Sequence, residues 1–283
     1  MQTIILEKPE HFTLKDTLGL GEVPADYARV SVRRIGICGT DLHAYRGKQP
    51  FFNYPRILGH ELGVEIAEIG DNDLDLQPGD TCAVEPYLTC GKCIACRRQK
   101  PNCCIEMQVL GVHIDGGMKE QITVPINKLH KSDRLTLDEL SLIEMLGIGA
   151  HAVERAQLES GEFVLVIGAG PIGLSVIQFA QLAGVKLIIM DINQNRLAFC
   201  REHFGVQWTI EAQNDPLSQL ETITKGDLPT VVFDATGNTK SMESAFSYVA
   251  NGGKLVFVGL VQSEITFSDP EFHRREITLL ATR

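Results

Sequence analysis

The run Gly168-Ala169-Gly170-Pro171-Ile172-Gly173 limits the folds open to this chain more than any other segment. It follows a continuous apolar stretch at 163–167 and opens a segment with helical periodicity at 171–182. A glycine turn between a buried strand and a helix brings backbone N–H groups to a pyrophosphate. Gly168 permits the tight turn, Gly170 the close approach, and Gly173 the packing of helix on strand. The helix N-terminus adds unpaired N–H groups and the positive end of a dipole. Asp191 ends the next apolar run, 23 positions after Gly168, where a carboxylate receives ribose hydroxyls. An acid there accepts from a 2′-hydroxyl and repels a 2′-phosphate, which favours NAD over NADP. The plain alternatives are an ordinary glycine turn and, for Asp191, a helix N-cap. Pro171, Ile172 and Arg196 are assigned to the cofactor with these residues.

Around this motif, β-type and helical segments alternate: strands at 163–167, 186–190, 231–233, 254–258 and 277–280, helices at 171–182, 193–203 and 242–249. That alternation predicts a parallel, doubly wound sheet. The chain before about Pro125 has another texture, with short β-type runs at 30–32, 63–69, 81–84 and 121–124 broken by Gly and Pro. It predicts a partly open β-barrel with long loops. A single helical stretch at 137–155 joins the halves. The division is set at 1–150 and 151–283, within an α/β fold class.

Eight cysteines are present, five of them between Cys82 and Cys103 and a sixth at Cys104. Cys90, Cys93, Cys96 and Cys104 have the spacing C-x2-C-x2-C-x7-C. Four thiolates in one short loop close a tetrahedron around zinc with no open position, so the site is structural. Lys92, Arg97, Arg98 and Lys100 offset part of the charge. An iron–sulfur cluster is the rival, but its motif has a three-residue last gap and a following Pro. Cys103 is a bystander, and Cys82 and Cys200 read as small buried hydrophobes. With no export signal at the N-terminus, the clustering speaks for metal rather than disulfides and for a cytoplasmic protein.

Two further stretches, Gly36-Ile37-Cys38-Gly39-Thr40-Asp41-Leu42-His43 and Gly59-His60-Glu61, carry metal-type residues. Cys38, His60 and Glu61 offer the mixed S, N and O donors that zinc accepts, although spacing alone does not bring them together. The net charge of −10 argues against a nucleic-acid partner, and no apolar run is long enough for a membrane span.

The ordered series G-x-C-G-T-D-x-H, G-H-E, four-cysteine lobe and G-x-G-x-x-G resembles the zinc-containing medium-chain alcohol dehydrogenases, from Met1 to Arg283. Within them it is most similar to the sorbitol and sugar-acid (galactonate-type) branch, with L-threonine dehydrogenase a close cousin. The resemblance implies a GroES-like catalytic barrel followed by a Rossmann domain. It implies two zinc ions and NAD, and oxidation of a secondary alcohol of a polyol or sugar acid in a dry cleft. Cys38 and His60 match the catalytic zinc ligands, and Glu61 the adjacent acid that ligates directly or in an alternate state. Asp41 matches the acid that orients His60. Thr40 and His43 match the hydroxyl and imidazole that pass the proton to solvent, and Glu144 matches a glutamate that binds zinc or its water. A homodimer or homotetramer, joined through the Rossmann sheets near 265–267, is implied too.

Two departures stand out. Met145 follows Glu144 where the family usually has Pro. The chain also stops at Arg283, where family members continue for several dozen residues and complete the barrel. The C-terminus is therefore expected to be truncated, and the 283-residue chain less active and less soluble than a longer version. That leaves a non-catalytic metal- and nucleotide-binding protein and an L-threonine 3-dehydrogenase as the alternative functions. Phe51, Phe52 and Tyr54 form a loop that either lines the substrate cleft or serves packing.

Overall fold

The computed structural model describes residues 1–49 and 52–283. The chain divides into two compact units, Met1–Glu144 and Met145–Arg283. The division falls inside the helix Ile143–Ala156, a few residues ahead of the expected 150/151 boundary.

The first unit is built on a five-stranded antiparallel sheet. Its order is Gln121–Pro125, Tyr27–Gly36, Glu61–Ile69, Thr81–Val84 and Leu129–Lys131. Alternation decides what faces inward. Ala28, Val30, Val64, Ile66, Cys82, Ile122 and Val124 fill one core, with Val30 paired to Ile122 and Val32 to Val64. The start of the Glu61–Ile69 strand is buried on both faces, which places the Glu61 side chain inside the protein. A hairpin of Gln2–Lys8 and His11–Asp16 joins this body through bridges Thr3–Lys119 and Leu6–Arg56. A short ribbon, Tyr87–Leu88 with Gln108–Val109, carries the cysteine lobe.

The second unit holds a six-stranded parallel sheet. Its order is Trp208–Glu211, Lys186–Asp191, Phe163–Ile167, Val231–Asp234, Lys254–Phe257 and Thr278–Ala281. Both faces are covered. Val164, Val166, Leu187, Ile189 and Phe233 pack under Val176, Ile177 and Ala180 of the helix Pro171–Leu182. The alternate residues Leu165, Ile167, Ile188, Met190 and Val232 pack with Leu220, Ala245 and Val249. Two covered faces explain why these strands read as unbroken apolar runs. The chain order reverses on either side of the Phe163–Ile167 strand, and such a switch point opens a crevice at the carboxyl ends of the strands.

Some expectations need correction. The helix expected over 137–155 is two helices, Leu137–Leu140 and Ile143–Ala156. Thr136 and Glu139 cap the first reciprocally, and the Ser141 hydroxyl donates to the Asp138 carbonyl at 2.7 Å, a local bond that competes with continuation. Met145 leaves the second helix unbroken. The helix expected over 242–249 starts earlier, at Thr239–Ala245, and ends in a 3-10 turn, Phe246–Tyr248. Asp191 is not the N-cap of its helix. Asn193 caps Gln194–Phe204, accepting from Asn195 N and Arg196 N.

Candidate metal and dinucleotide sites

Cys38 occupies the N-cap position of the helix Gly39–Tyr45, and the Asp41 carboxylate reaches back to accept from Cys38 N at 2.9 Å. Gly59, at φ +96°, takes a left-handed turn that most side chains resist, and its carbonyl accepts from Gly117 N at 2.9 Å. His60 follows it directly. Glu61 then opens a strand paired with Tyr27–Gly36, in register with Gly36. These three local devices bring one donor atom each of Cys38, His60 and Glu61 within 4.8 Å of one another.

The charge balance of this group fits a cation. His60 and Glu61 are buried, and so is Asp41 beneath them. His60 Nδ1 lies 3.7 Å from Asp41 Oδ1, and neither buried atom has a hydrogen-bond partner. A small closure joins them and leaves Nε2 of His60 for ligation. Burial raises the pKa of Asp41 against the pull of His60 and of the Cys38 and Gly59 N–H groups. Burial, then the neighbouring charge of Glu144, raises that of Glu61. For His60 burial acts downward but is outweighed by Cys38, Asp41 and Glu144, which push it up to about 9. Acids and a thiol gathered around one imidazole are short of positive charge, which a divalent metal supplies.

Glu144 influences His60 and Glu61 electrostatically but falls outside the group whose donors lie within 4.8 Å. Its Oε1 accepts from the Tyr87 hydroxyl. Thr40 and His43 stand three residues apart on the helix Gly39–Tyr45, hence on one face. Thr40 is half-buried and His43 exposed. In the aromatic loop, Phe51 lies outside the described residues. Phe52 and Tyr54 pack against Leu6, Ala44 and Leu58, and the Tyr54 hydroxyl donates to the Ala44 carbonyl. For those two rings, packing is what the structure shows.

The sulfur atoms of Cys90, Cys93, Cys96 and Cys104 also lie within 4.8 Å of one another. Cys93 and Cys96, and Cys90 and Cys104, are paired at 3.5 Å as free thiols. Cys93 caps the short helix Ile94–Arg97. Backbone N–H groups of Cys96 and Ile105 lower the Cys93 pKa, and that of Cys90 lowers Cys104. Burial and the Cys93 sulfur raise Cys96. Such a set cannot ionise fully by itself, and a metal removes that conflict. Cys103 is exposed, and Cys82 and Cys200 are fully buried.

In the second unit, Gly168 has φ +94° and donates its N–H to Met190 O at 2.7 Å. A Cβ on Gly173 would lie 2.9 Å from the Gly168 carbonyl carbon, so the helix is seated directly on the turn. Pro171 and Ile172 form its first turn behind Gly170. Asp191 is buried. Its Oδ2 accepts from Ala169 N at 2.6 Å and its Oδ1 from Asn193 N at 2.8 Å, with Arg196 3.8 Å away. A carboxylate offers about four lone-pair directions, so these two bonds leave acceptor capacity on Asp191.

Two residues escaped the sequence reading. Asp234 is fully buried at the end of its strand, accepting from Thr236 N at 2.9 Å, Thr236 Oγ1 at 2.6 Å and Ser241 Oγ at 2.6 Å. It anchors the turn beside Gly168, whose absent Cβ would meet Thr236 Cγ2 at 3.1 Å. The signal was an acid closing an apolar strand before Ala-Thr-Gly. Tyr87 carried no signal, because a two-residue strand has no periodicity.

Two family models match the chain: the alcohol dehydrogenase GroES-like domain over residues 24–134 and the zinc-binding dehydrogenase over 171–283. L-Galactonate-5-dehydrogenase of Escherichia coli K12 is 40% identical over 290 residues, spanning 100% of this chain and 83% of that protein. Sorbitol dehydrogenase of Bacillus subtilis is 33% identical, spanning 93% of this chain and 77% of that protein. The crystal structure of the alcohol dehydrogenase RspB from E. coli CFT073, complexed with NADH, superposes with a TM-score of 0.92 at 31% identity. It covers 100% of this chain and 83% of that one. With both of its units matched and these relatives spanned over most of their length, the chain belongs to the zinc-type alcohol dehydrogenase family of oxidoreductases.

Proposed function

We propose that this protein oxidises a secondary hydroxyl of a polyol or sugar acid to a ketone, using zinc and NAD. The observation that carries this reading is the convergence of a half-buried Cys38 with buried His60 and Glu61, beside a half-buried Thr40 and an exposed His43. Zinc, when bound there, supplies Lewis acidity that lowers the pKa of a hydroxyl, and NAD accepts the hydride. The remaining work falls to the chain. Asp41 orients His60, and Glu61 and Glu144 set the local charge. Thr40 and His43 relay the hydroxyl proton to solvent, the Thr40 hydroxyl giving up its own proton as it accepts the incoming one. Asp191 receives the ribose hydroxyls and disfavours a 2′-phosphate. The relatives that act on galactonate and sorbitol support this substrate class.

The test is a panel of polyols, sugar acids and L-threonine, each with NAD and with NADP, on zinc-loaded protein. Turnover confined to L-threonine, or to NADP, rejects the reading. A cytoplasmic location is proposed on the eight free cysteines. A homodimer or homotetramer is proposed through 265–267 and the outer edge of Thr278–Ala281, which pairs on one side only among the described residues. Light scattering reads that state directly.

Among the described residues, no helix is long and apolar enough to cross a membrane.

A further inference from the structure

We infer that Tyr87 is a positioning residue that ties the four-cysteine lobe to the carboxylate of Glu144. The inference rests on the reading of Cys38, His60 and Glu61 as a metal site and adds a second level of control to it.

Two of the attachments of Tyr87, different in kind, link the lobe to Glu144. Its ring packs, together with Cys90, Ala95 and Cys96, against the lobe core of Cys93, Cys104, Met107, Val109 and Val112. Its hydroxyl donates to Glu144 Oε1. The backbone holds Tyr87 opposite Val109 in the ribbon Tyr87–Leu88 with Gln108–Val109. Cys90 follows one strand of that ribbon and Cys104 precedes the other, with Cys90 N donating to Cys104 Sγ at 3.3 Å. Closing the sulfur cluster therefore pins both strands, and with them the phenol.

At the other end the hydroxyl acts on a charge that matters. Glu144 opens the helix Ile143–Ala156, and its carboxylate works on both His60 and Glu61. A glutamate has several rotatable bonds, so an uncommitted Glu144 samples many positions around the cluster. One hydrogen bond to Oε1 selects among them and leaves Oε2 for the cluster. The lobe then does more than stabilise its own loop, because its closure fixes where a negative charge stands beside Cys38, His60 and Glu61.

Tyr87→Phe keeps the ring and removes only the hydroxyl. Cobalt(II) replaces zinc for the readout: both sites carry thiolate and give sulfur-to-metal charge transfer, stronger for the four-sulfur lobe, and the ligand-field bands of the lobe lie at lower energy than those of the mixed site. Tyr87→Phe should leave the lobe bands in place, shift the mixed-site bands, and speed chelator-driven metal loss from the mixed site by about 10-fold, the size expected for a partner that orients a ligand. In an Glu144→Ala background the same change should have no further effect, because the two residues act in series. Unchanged bands and exchange in Tyr87→Phe overturn the inference. So does equal loss of metal from the lobe, which makes Tyr87 a packing residue only, and so does an undiminished effect in the Glu144→Ala background.

A second measurement needs no replacement of Tyr87 in the observed protein. In 3-fluorotyrosine-labelled chain the Tyr87 fluorine resonance, identified by its loss in Tyr87→Phe or by site-specific labelling if that variant does not fold, should move on Glu144→Ala. A resonance that stays put overturns the tie. If wild-type protein binds metal only in the lobe, the reading of the mixed site fails, while the fluorine shift still decides whether the hydroxyl holds Glu144.

Discussion

Gly36 stands opposite Glu61 in the antiparallel pair of Tyr27–Gly36 and Glu61–Ile69, and the Cβ that it lacks would lie 2.8 Å from the Glu61 Cβ. The Glu61 carboxylate therefore occupies space that any other residue at 36 would claim. Gly36→Ala should displace Glu61 and weaken metal retention at the mixed site by about 10- to 100-fold, as loss of ligand orientation does elsewhere. Metal analysis after dialysis against a mild chelator checks this. The lobe should keep its ion, and retention of both would show that Glu61 does not hold metal.

The two metal sites should fail in different ways. His60→Ala should abolish turnover and lower the thermal midpoint less than loss of a lobe cysteine does, since it removes one buried ring but opens no closed metal clamp. Cys93→Ser opens a closed sulfur set and should cost more than ~3 kcal/mol, because structural metal binding is part of folding. Thermal melts of both variants beside the wild type separate them, and equal drops would contradict the division.

Asp191→Ala should weaken NAD binding and relax the preference over NADP. It should also destabilise the second unit by ~2 kcal/mol, because the buried Ala169 N–H loses its acceptor, while the Asn193 N–H lies nearer solvent and loses less. Isothermal titration with each cofactor and denaturant melts provide the two numbers. Tighter binding of NADP than NAD by the wild type would refute the role given to Asp191.

Asp234 gives a pH signature. Burial raises its pKa above the ordinary 3.8, against the hydroxyls of Ser241 and Thr236. The folded state thus binds the proton more tightly than the unfolded chain. The stabilisation this provides is full below 3.8 and is lost as pH rises through the folded value. Asp234→Asn keeps an acceptor for Thr236 and cannot titrate. The stability of wild type relative to Asp234→Asn should therefore fall as pH rises above 3.8, and a difference independent of pH would show that Asp234 is not perturbed.

The second unit was the more legible one. The strand Phe163–Ile167 and the helix Pro171–Leu182 coincide with the expected bounds, because a strand covered on both faces and a glycine turn leave strong local marks. The strand Trp208–Glu211 was missed because it lies at the sheet edge and alternates weakly. The helix Asp269–Arg274 was missed because it buries no residue and so shows no core-facing stripe. The helix Pro216–Thr224 starts after Asp215 in a left-handed conformation, with no side-chain cap to announce it. In the first unit the donor residues were visible, but their meeting was not. It depends on the register of Gly36 with Glu61 and on a left-handed Gly59, which are properties of pairing and backbone rather than of local pattern. Glu144 was placed by resemblance, and the Tyr87 hydroxyl that holds it became visible only in three dimensions.

The carboxylate of Asp191 braces the glycine turn at Ala169 and the start of the next helix at Asn193 before any ligand is present. The ordering entropy of that segment is therefore met during folding and not at the encounter with the cofactor. Association at this turn should proceed as a docking step onto a ready surface, with a rate set by diffusion and orientation and with little rearrangement between empty and loaded states. Differences in affinity among nucleotides at this turn then reside in how fast they leave.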